Sequence, residues 1–341
     1  MAEAYLDRLE SEGGLAGLKR QLPAALARSA DPQAAAARVA ATLVAIDAAD
    51  AAALRDAWAL APAPILDILA ALAGAAPFLL PLLQRRPEVL FELADDDLGR
   101  PRPAGEIAAR LALGVAADCA AGIAGADALR RFKYAELARI TVRDLALDLV
   151  PLARTGEVLL EISDLADALL AAALQLAADE LAAAVGPPEW HFPDGSVRRL
   201  PFTVLGLGKL GARELNYSSD VDLIYVYDDP GLDADESEAS LEFAAGRDLA
   251  PAQYFTRLAQ AFGRIVTAGT AEGFLYRIDL DLRPEGSRGP LVISGTAFLS
   301  YYDDWAATWE RAACLKARPV AGDIDFGWRL IRDLVPVLHR S

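Results

Sequence analysis

The run Gly206–Asp222, GLGKLGARELNYSSDVD, holds a Gly-Lys turn, a serine at position 219, and the acids Asp220 and Asp222 at the mouth of a segment patterned as a strand. Side chains at i and i+2 on a strand point to the same face. Two carboxylates on one face repel unless a cation lies between them. Mg²⁺ suits this arrangement, since it takes one or two carboxylates together with substrate phosphates. A glycine-rich turn beside them offers bare backbone N–H groups to those phosphates. The residue types and spacing therefore predict metal-assisted chemistry on a nucleotide.

A second acidic segment lies downstream in YRIDLDLRP. As a strand, it sets Tyr276, Ile278, Leu280 and Leu282 on one face and Arg277, Asp279, Asp281 and Arg283 on the other. An apolar face opposite a wholly charged one is expected where a sheet floors an active site. Nucleotidyl transfer needs acids on adjacent strands, a turn that holds phosphates, and a few cations. Asp220, Asp222 and Asp279 fill the first role as catalytic and metal-binding carboxylates. Gly208 and Lys209 would line the phosphate turn with Ser219 as polar neighbour, and Arg283, Arg311 and Lys316 are candidate phosphate contacts. The turn is not a P-loop, because Lys209 is followed by Leu210 rather than Ser or Thr. No repeated βαβ pattern surrounds it, which argues against a dinucleotide fingerprint.

The elements that must position these residues are mostly helical. Alanine and leucine dominate a chain with 7% aromatic residues, a composition favouring long helices over sheet. The first 186 residues read as helices throughout. Asp31-Pro32 forms an N-cap and N1 pair, and Asp50 caps the next helix. Pro64–Leu83 is almost wholly apolar and about the length of a membrane span; Gly74 and Pro77 break it into two buried helices meeting at a turn. Ala128–Leu149 carries a basic face of Arg130, Arg131, Lys133, Arg139 and Arg143, read as a solvated surface or as a rim for a phosphate-bearing ligand. Ser163 is a candidate cap for a helix from about Ile162 to Val185. Beyond Gly186-Pro187-Pro188, Pro193-Asp194-Gly195 signals a hairpin, and two short strands flank the Gly-Lys turn. An acidic loop follows Asp228, then an amphipathic helix over Pro251–Ala268. One strong helix is predicted over Phe298–Arg318, with Arg311 and Arg318 on one face. The expected fold is α+β and predominantly helical: an all-α region (1–127), a catalytic region with a small mixed sheet (128–322), and the start of a further helical segment, cut short (323–341).

The formal net charge of −16 gives no general attraction to nucleic acid or anionic lipid. Cys119 and Cys314 stand far apart, and the two histidines give neither a zinc set nor a Ser/His/Asp pattern. The acidic start, MAEAYLDRLESEGG, lacks the apolar core of a secretory signal. The expected setting is the cytoplasm, with no membrane or nucleic-acid partner.

Three motifs, LGLGKLGARELNYSSDVDLIYVYD, RIDLDLRPEGSRGPLV and TWERAACLKARPVAGD, resemble the glutamine synthetase adenylyltransferase/adenylyl-removing enzyme family of the polymerase β-like nucleotidyltransferase superfamily. RRFKYAELARITVRDL and LLQRRPEVLFEL are similar in looser form. Family proteins join two catalytic halves. This chain carries one such set, and its helical lead-in and NYSSD spelling resemble the N-terminal half. That resemblance implies phosphorolysis of the adenylyl-tyrosine on glutamine synthetase, releasing ADP, with Mg²⁺ as cofactor and the PII signal protein, ATP or ADP, and phosphate as partners. It matches Asp279 to the third metal ligand. At Asp281 the chain departs from the family's better-known members, which carry a basic residue there. Adenylyl transfer from ATP, a non-catalytic module binding nucleotide or PII, and nucleotidyl transfer to a polynucleotide or small molecule stay open on the residues alone.

Overall fold

A computed structural model describes residues 2–11, 14–27, 29–145, 155–186, 190–191, 195–228 and 249–338. The acidic loop expected beyond Asp228 and the turn residues Pro193-Asp194 lie outside them. The chain divides into two compact units, Met1–Arg102 with Phe132–Glu161, and Pro103–Arg131 with Ile162–Ser341.

The first unit is all-helical: α1 (Ala2–Ser11), α2 (Leu18–Ala25), α3 (Pro32–Leu60), α4 (Pro62–Ala75), α5 (Leu80–Arg85) and α6 (Pro87–Asp95), with parts of helices that continue into the second unit. Asp31 caps α3 by accepting from Ala34 N at 2.9 Å. Asp50 leaves helical geometry at φ −154° and ψ 79°. Its carboxylate accepts from Ala53 N at 3.0 Å, so α3 is kinked where the second cap was expected. The apolar stretch breaks as anticipated: α4 ends at Ala75, a 3₁₀ turn covers Pro77–Leu79, and α5 follows. Leu43, Ile46, Leu54, Ile68, Leu69, Leu72 and Leu83 are fully buried in one core.

The basic run is neither a solvated face nor a rim. In α8 (Gly125–Leu145), Arg130, Lys133, Arg139 and Arg143 are buried. Within the first unit, Arg102 pairs with Asp96 and Glu136, and Arg139 with Glu136 and Glu161. Arg143 pairs with Glu161 at 2.5 Å. Glu161 also accepts from Arg102 N at 2.7 Å. The partners Arg102 and Glu161 come from outside α8, which is why its own sequence looks like an exposed charge run. The helix holding Glu161, α9 (Thr155–Val185), reaches membrane-spanning length and hydropathy among the described residues, yet its acids Glu161, Asp164 and Asp167 are each paired with an arginine.

The second unit contains α7 (Ala104–Ala120), the rest of α8 and α9, and an antiparallel strand pair, β1 (Trp190–His191) with β2 (Val197–Arg198). Its centre is a five-stranded mixed sheet in the order β5-β4-β3-β7, with β6 also on β4. Here β3 is Phe202–Gly206, β4 Val221–Tyr227, β5 Ile278–Asp279, β6 Val292–Ser294 and β7 Arg318–Gly322. β3 runs antiparallel to β4 and β7; β5 and β6 run parallel to β4 along its other edge. One face carries α11 (Pro251–Thr267): Phe255 stacks on Phe202 and Tyr227 at 5.3 and 5.2 Å, and Phe262 meets Tyr225 edge-on at 5.8 Å. The other face packs Leu205, Ile224 and Val226 under α12 (Gly295–Asp304) and α14 (Ile324–Leu338).

Three expectations are corrected. Only Ile278 and Asp279 of YRIDLDLRP are strand; the backbone then turns, so Asp281 and Arg283 share no strand face with Asp279. Phe298–Arg318 is not one helix. α12 ends at Asp304, α13 (Thr308–Cys314) starts afresh with Glu310 accepting from Ala307 N at 2.7 Å, and Arg318 enters β7. Ladder bonds to β3 claim residues 318–322, so Arg311 and Arg318 lie on different elements. Ser163 lies inside α9 rather than capping it.

Removing one partner of a buried ion cluster leaves uncompensated charge. Glu161→Ala is expected to lower unfolding free energy by ~3–5 kcal/mol, read from the urea midpoint at unchanged slope. A loss below ~1 kcal/mol would place these pairs with exposed salt bridges.

Candidate active site

The site forms at the ends of β4 and β5. Their parallel register pairs Asp222 directly with Asp279, so two carboxylates stand on neighbouring strands, which lie roughly 4.8 Å apart. Asp222 shares its face of β4 with Ile224 and Val226, which fill the α12/α14 core; the acid sits at the open end of an otherwise apolar surface. Asp220 lies just before the strand, held by Arg277 Nε at 2.5 Å, while Arg277 Nη2 donates to Ser218 O at 2.8 Å. Burial raises the Asp222 carboxyl above the usual carboxylate range, and the charges of Asp279 and Asp220 push it further up. Lys209 opposes that rise.

Leaving β3, the chain makes the short helix α10 (Gly208–Gly211) and returns through residues 212–220. Gly208 has φ +52°, and a Cβ built there would overlap Asp222 Oδ2. Only glycine satisfies both demands at once. Asp222 O accepts from Leu207 N at 2.9 Å, tying turn to strand. The first N–H groups of a helical turn lack intrahelical acceptors, and Gly208 and Lys209 hold those positions. Lys209 Nζ lies 3.4 Å from Ser219 Oγ, which donates to Asn216 Oδ1 at 2.7 Å.

The structure thus gathers Asp220, Asp222, Asp279, Gly208, Lys209 and Ser219. Lys316 is near in part: its carbonyl abuts Gly211, while its ammonium lies 3.3 Å from Glu214. Arg283 Nη1 donates to Leu280 O at 2.8 Å, and Arg311 Nη2 to Asp303 O at 3.2 Å; neither is brought onto the carboxylates. Among the described residues no three acidic, histidine or cysteine side chains close on one point as a finished metal cage. Asp220 is turned toward Arg277, and Asp279 Oδ1 accepts from Asp281 N at 2.8 Å. The donor set nevertheless fits a hard divalent cation: oxygen ligands from adjacent strands, one with its proton affinity raised by burial and then by its acidic neighbours. Residues not foreseen are Arg277, which neutralises Asp220, and Asn216, which orients Ser219. The alternation of YRIDLDLRP placed Arg277 with the acids, and that was the available signal.

A carboxyl whose folded pKa is raised loses stabilisation as pH climbs from its unfolded value through its folded value, and carries the full cost above both. Without divalent cations, Asp222→Asn is therefore expected to melt at a higher temperature than the unsubstituted chain at neutral pH. The difference should vanish below about pH 3.9, the unfolded aspartate value. Equal melting at neutral pH would show that the carboxylates do not burden one another.

Residues 66–332 match the family described as glutamate-ammonia ligase adenylyltransferase. Among similar proteins are three each named bifunctional glutamine synthetase adenylyltransferase/adenylyl-removing enzyme. That of Thioalkalivibrio sulfidiphilus is 39% identical over 257 residues, covering 75% of this chain and 24% of the relative. That of Nitrosococcus oceani is 44% identical over 214 residues, 62% of this chain and 20% of the relative. That of Pseudomonas aeruginosa is 37% identical over 320 residues, 94% of this chain and 30% of the relative. The chain thus spans between a fifth and a third of the length of these relatives. With the match running through the Gly-Lys turn and both acidic strands that follow it, the chain belongs to the glutamate-ammonia ligase adenylyltransferase family.

Proposed function

We propose that this chain is the deadenylylating catalytic part of a bifunctional regulator of glutamine synthetase, acting in the cytoplasm within a region spanning about 128–322. The observation that carries this reading is the pairing of Asp222 with Asp279 across β4 and β5, with Gly208 packed against the Asp222 carboxylate. Inorganic phosphate would attack the phosphorus of an adenylyl-tyrosine on glutamine synthetase. A new P–O–P bond forms, the P–O bond to the tyrosine breaks, and ADP leaves. The proton carried by the phosphate ends on the tyrosine oxygen. Phosphate is already anionic near neutral pH, so no dedicated general base is required.

Mg²⁺, held by Asp220, Asp222 and Asp279, would supply the positive charge that such an in-line displacement needs. The chain's own residues bind and orient. The first-turn N–H groups at Gly208 and Lys209 face phosphate oxygens, and Ser219 is fixed by Asn216 beside them. Arg283, Arg311 and Lys316 would offset charge on the bound ligand, and Arg277 holds Asp220 in place. The NYSSD spelling and helical lead-in support removal over transfer. Asp281, in place of a basic residue, would tune phosphate affinity, and PII would be the regulatory partner.

The direct test supplies adenylylated glutamine synthetase with phosphate in one vessel and unmodified glutamine synthetase with ATP in another, each with Mg²⁺. The expected products are ADP from the first and no pyrophosphate from the second. Asp222→Asn should lower the rate at least ~100-fold, beyond the 10–100-fold typical of residues that only support metal ligands, and excess chelator should abolish it. Pyrophosphate without ADP would reverse the direction. Asp222→Asn turning over at the unsubstituted rate would leave only a binding role.

A further inference from the structure

The Gly-Lys turn is held from outside by one face of α9. Three polar residues at i, i+1 and i+4, Ser163, Asp164 and Asp167, fall on that face of an otherwise Ala/Leu-rich helix. Ser163 and Asp164 grip the chain between α10 and β4, and Asp167 grips the first residue of β7. Ser163 Oγ accepts from Leu215 N at 3.1 Å. Asp164 pairs with Arg213, a non-glycine residue held at φ +58°. Such a backbone persists only where its surroundings over-determine it. Asp167 makes a two-pronged pair with Arg318, Nη1 to Oδ2 at 2.7 Å and Nη2 to Oδ1 at 2.9 Å. The same guanidinium reaches past the pair to Leu210 O, from Nε at 3.2 Å and Nη2 at 2.9 Å. Leu210 is the third residue of α10, so its carbonyl belongs to the short helix whose first turn faces the carboxylates.

Close packing leaves the turn little room to move by itself. A Cβ at Gly211 would overlap the carbonyls of Lys316 and Gly206, and one at Gly206 would lie 2.7 Å from Val320 Cγ1. The chain leading into β7 therefore presses on α10 from one side, while Arg318, the first residue of β7, grips it by Leu210 O. Arg318 is 13% exposed and Asp167 26%. Burial raises the Asp167 carboxyl, and Arg318 draws it back down. A guanidinium with four hydrogen bonds in a fixed fork tolerates little change in geometry, unlike an ammonium.

We propose that Asp167 and Arg318 are positioning residues for the phosphate turn. Asp167 orients the guanidinium, the guanidinium fixes Leu210 O, and that fixes where the Gly208 and Lys209 N–H groups point. This deepens the reading of the site as phosphorolytic, because the ligand whose affinity it governs is inorganic phosphate. Neither residue touches the reacting atoms.

The test uses the full chain with Asp167→Asn, Arg318→Lys and the double variant. Asp179→Asn, at the exposed far part of the same helix, serves as control. Two readouts are taken: amide hydrogen exchange over 207–215, and KM for phosphate and for adenylylated glutamine synthetase separately. Each single variant should raise the phosphate KM about tenfold, within the ~100-fold cost of a 1 Å misplacement at a reacting centre. The KM for the protein substrate should hold. The Gly211, Ala212, Glu214 and Leu215 amides, bonded in the intact turn, should exchange at least tenfold faster while the core of α11 keeps its protection. The double variant should be no worse than the singles, as for residues acting as one unit. Unchanged exchange at these amides overturns the proposal. So does a uniform loss of protection through α11 together with equal changes in both KM values, since that describes general destabilisation. If the unsubstituted chain releases no ADP, the phosphorolytic reading fails by itself, and exchange at the four amides still decides the positioning role.

Discussion

Two carboxylates that repel each other, set side by side by strand register, are the constraint around which the second unit is arranged. Asp222 and Asp279 are direct neighbours across β4 and β5. Burial and then the charges of Asp279 and Asp220 raise the Asp222 carboxyl, and among the described residues no arginine pairs with Asp222 or Asp279. Instead the fold brings a glycine backbone against the Asp222 oxygen, at a position where any side chain would collide. Backbone packing of this closeness holds the Gly-Lys segment against the acidic strand. The same collision argument applies at Gly211 against Lys316 O, which ties the segment to the chain entering β7.

The buried ion cluster of the first unit and the acids at the strand ends of the second are differently balanced. In the first, Arg102, Arg139 and Arg143 interleave with Asp96, Glu136 and Glu161, each ion bracketed by opposite charge. Such clusters add little stability over a well-packed apolar core, but breaking one is costly, so they favour one helix arrangement over others. In the second, the acids at the strand ends are left short of positive charge: Arg277 serves Asp220 and Lys209 only tempers Asp222.

Much of this was legible in the residues. Asp31 and Asp50 cap helices because a short side-chain acceptor reaches a first-turn N–H through local geometry alone. The apolar stretch broke at Gly74–Pro77 because proline cannot continue a helix. The acid pair, the Gly-Lys turn and the alternation of β4 are local patterns too, and they led to the site. The misreadings share one cause. The basic run of α8 looked like a solvated face or a ligand rim because Glu161, which pairs with both Arg139 and Arg143, lies 18 residues beyond Arg143. The helix expected over Phe298–Arg318 gave way to α12, α13 and β7 because β3 offered ladder bonds that no local propensity describes. Ser163 looked like a cap until α9 proved to begin earlier and to use that hydroxyl on Leu215 N.

The amino-acid order alone determined the kinds of element, the caps, the small sheet within a helical chain, and the identities of the acids and glycines that belong together, since all of these follow from side-chain geometry within a few residues. Only the tertiary structure decided that Asp279 stands beside Asp222, that Arg277 takes Asp220, and that Asp167 reaches Arg318 across 151 residues of chain. Strand order and helix docking bring such residues together, and they are set by which buried surfaces and ladder bonds jointly lower the free energy of the whole unit, a sum in which no short window of sequence holds more than a few terms.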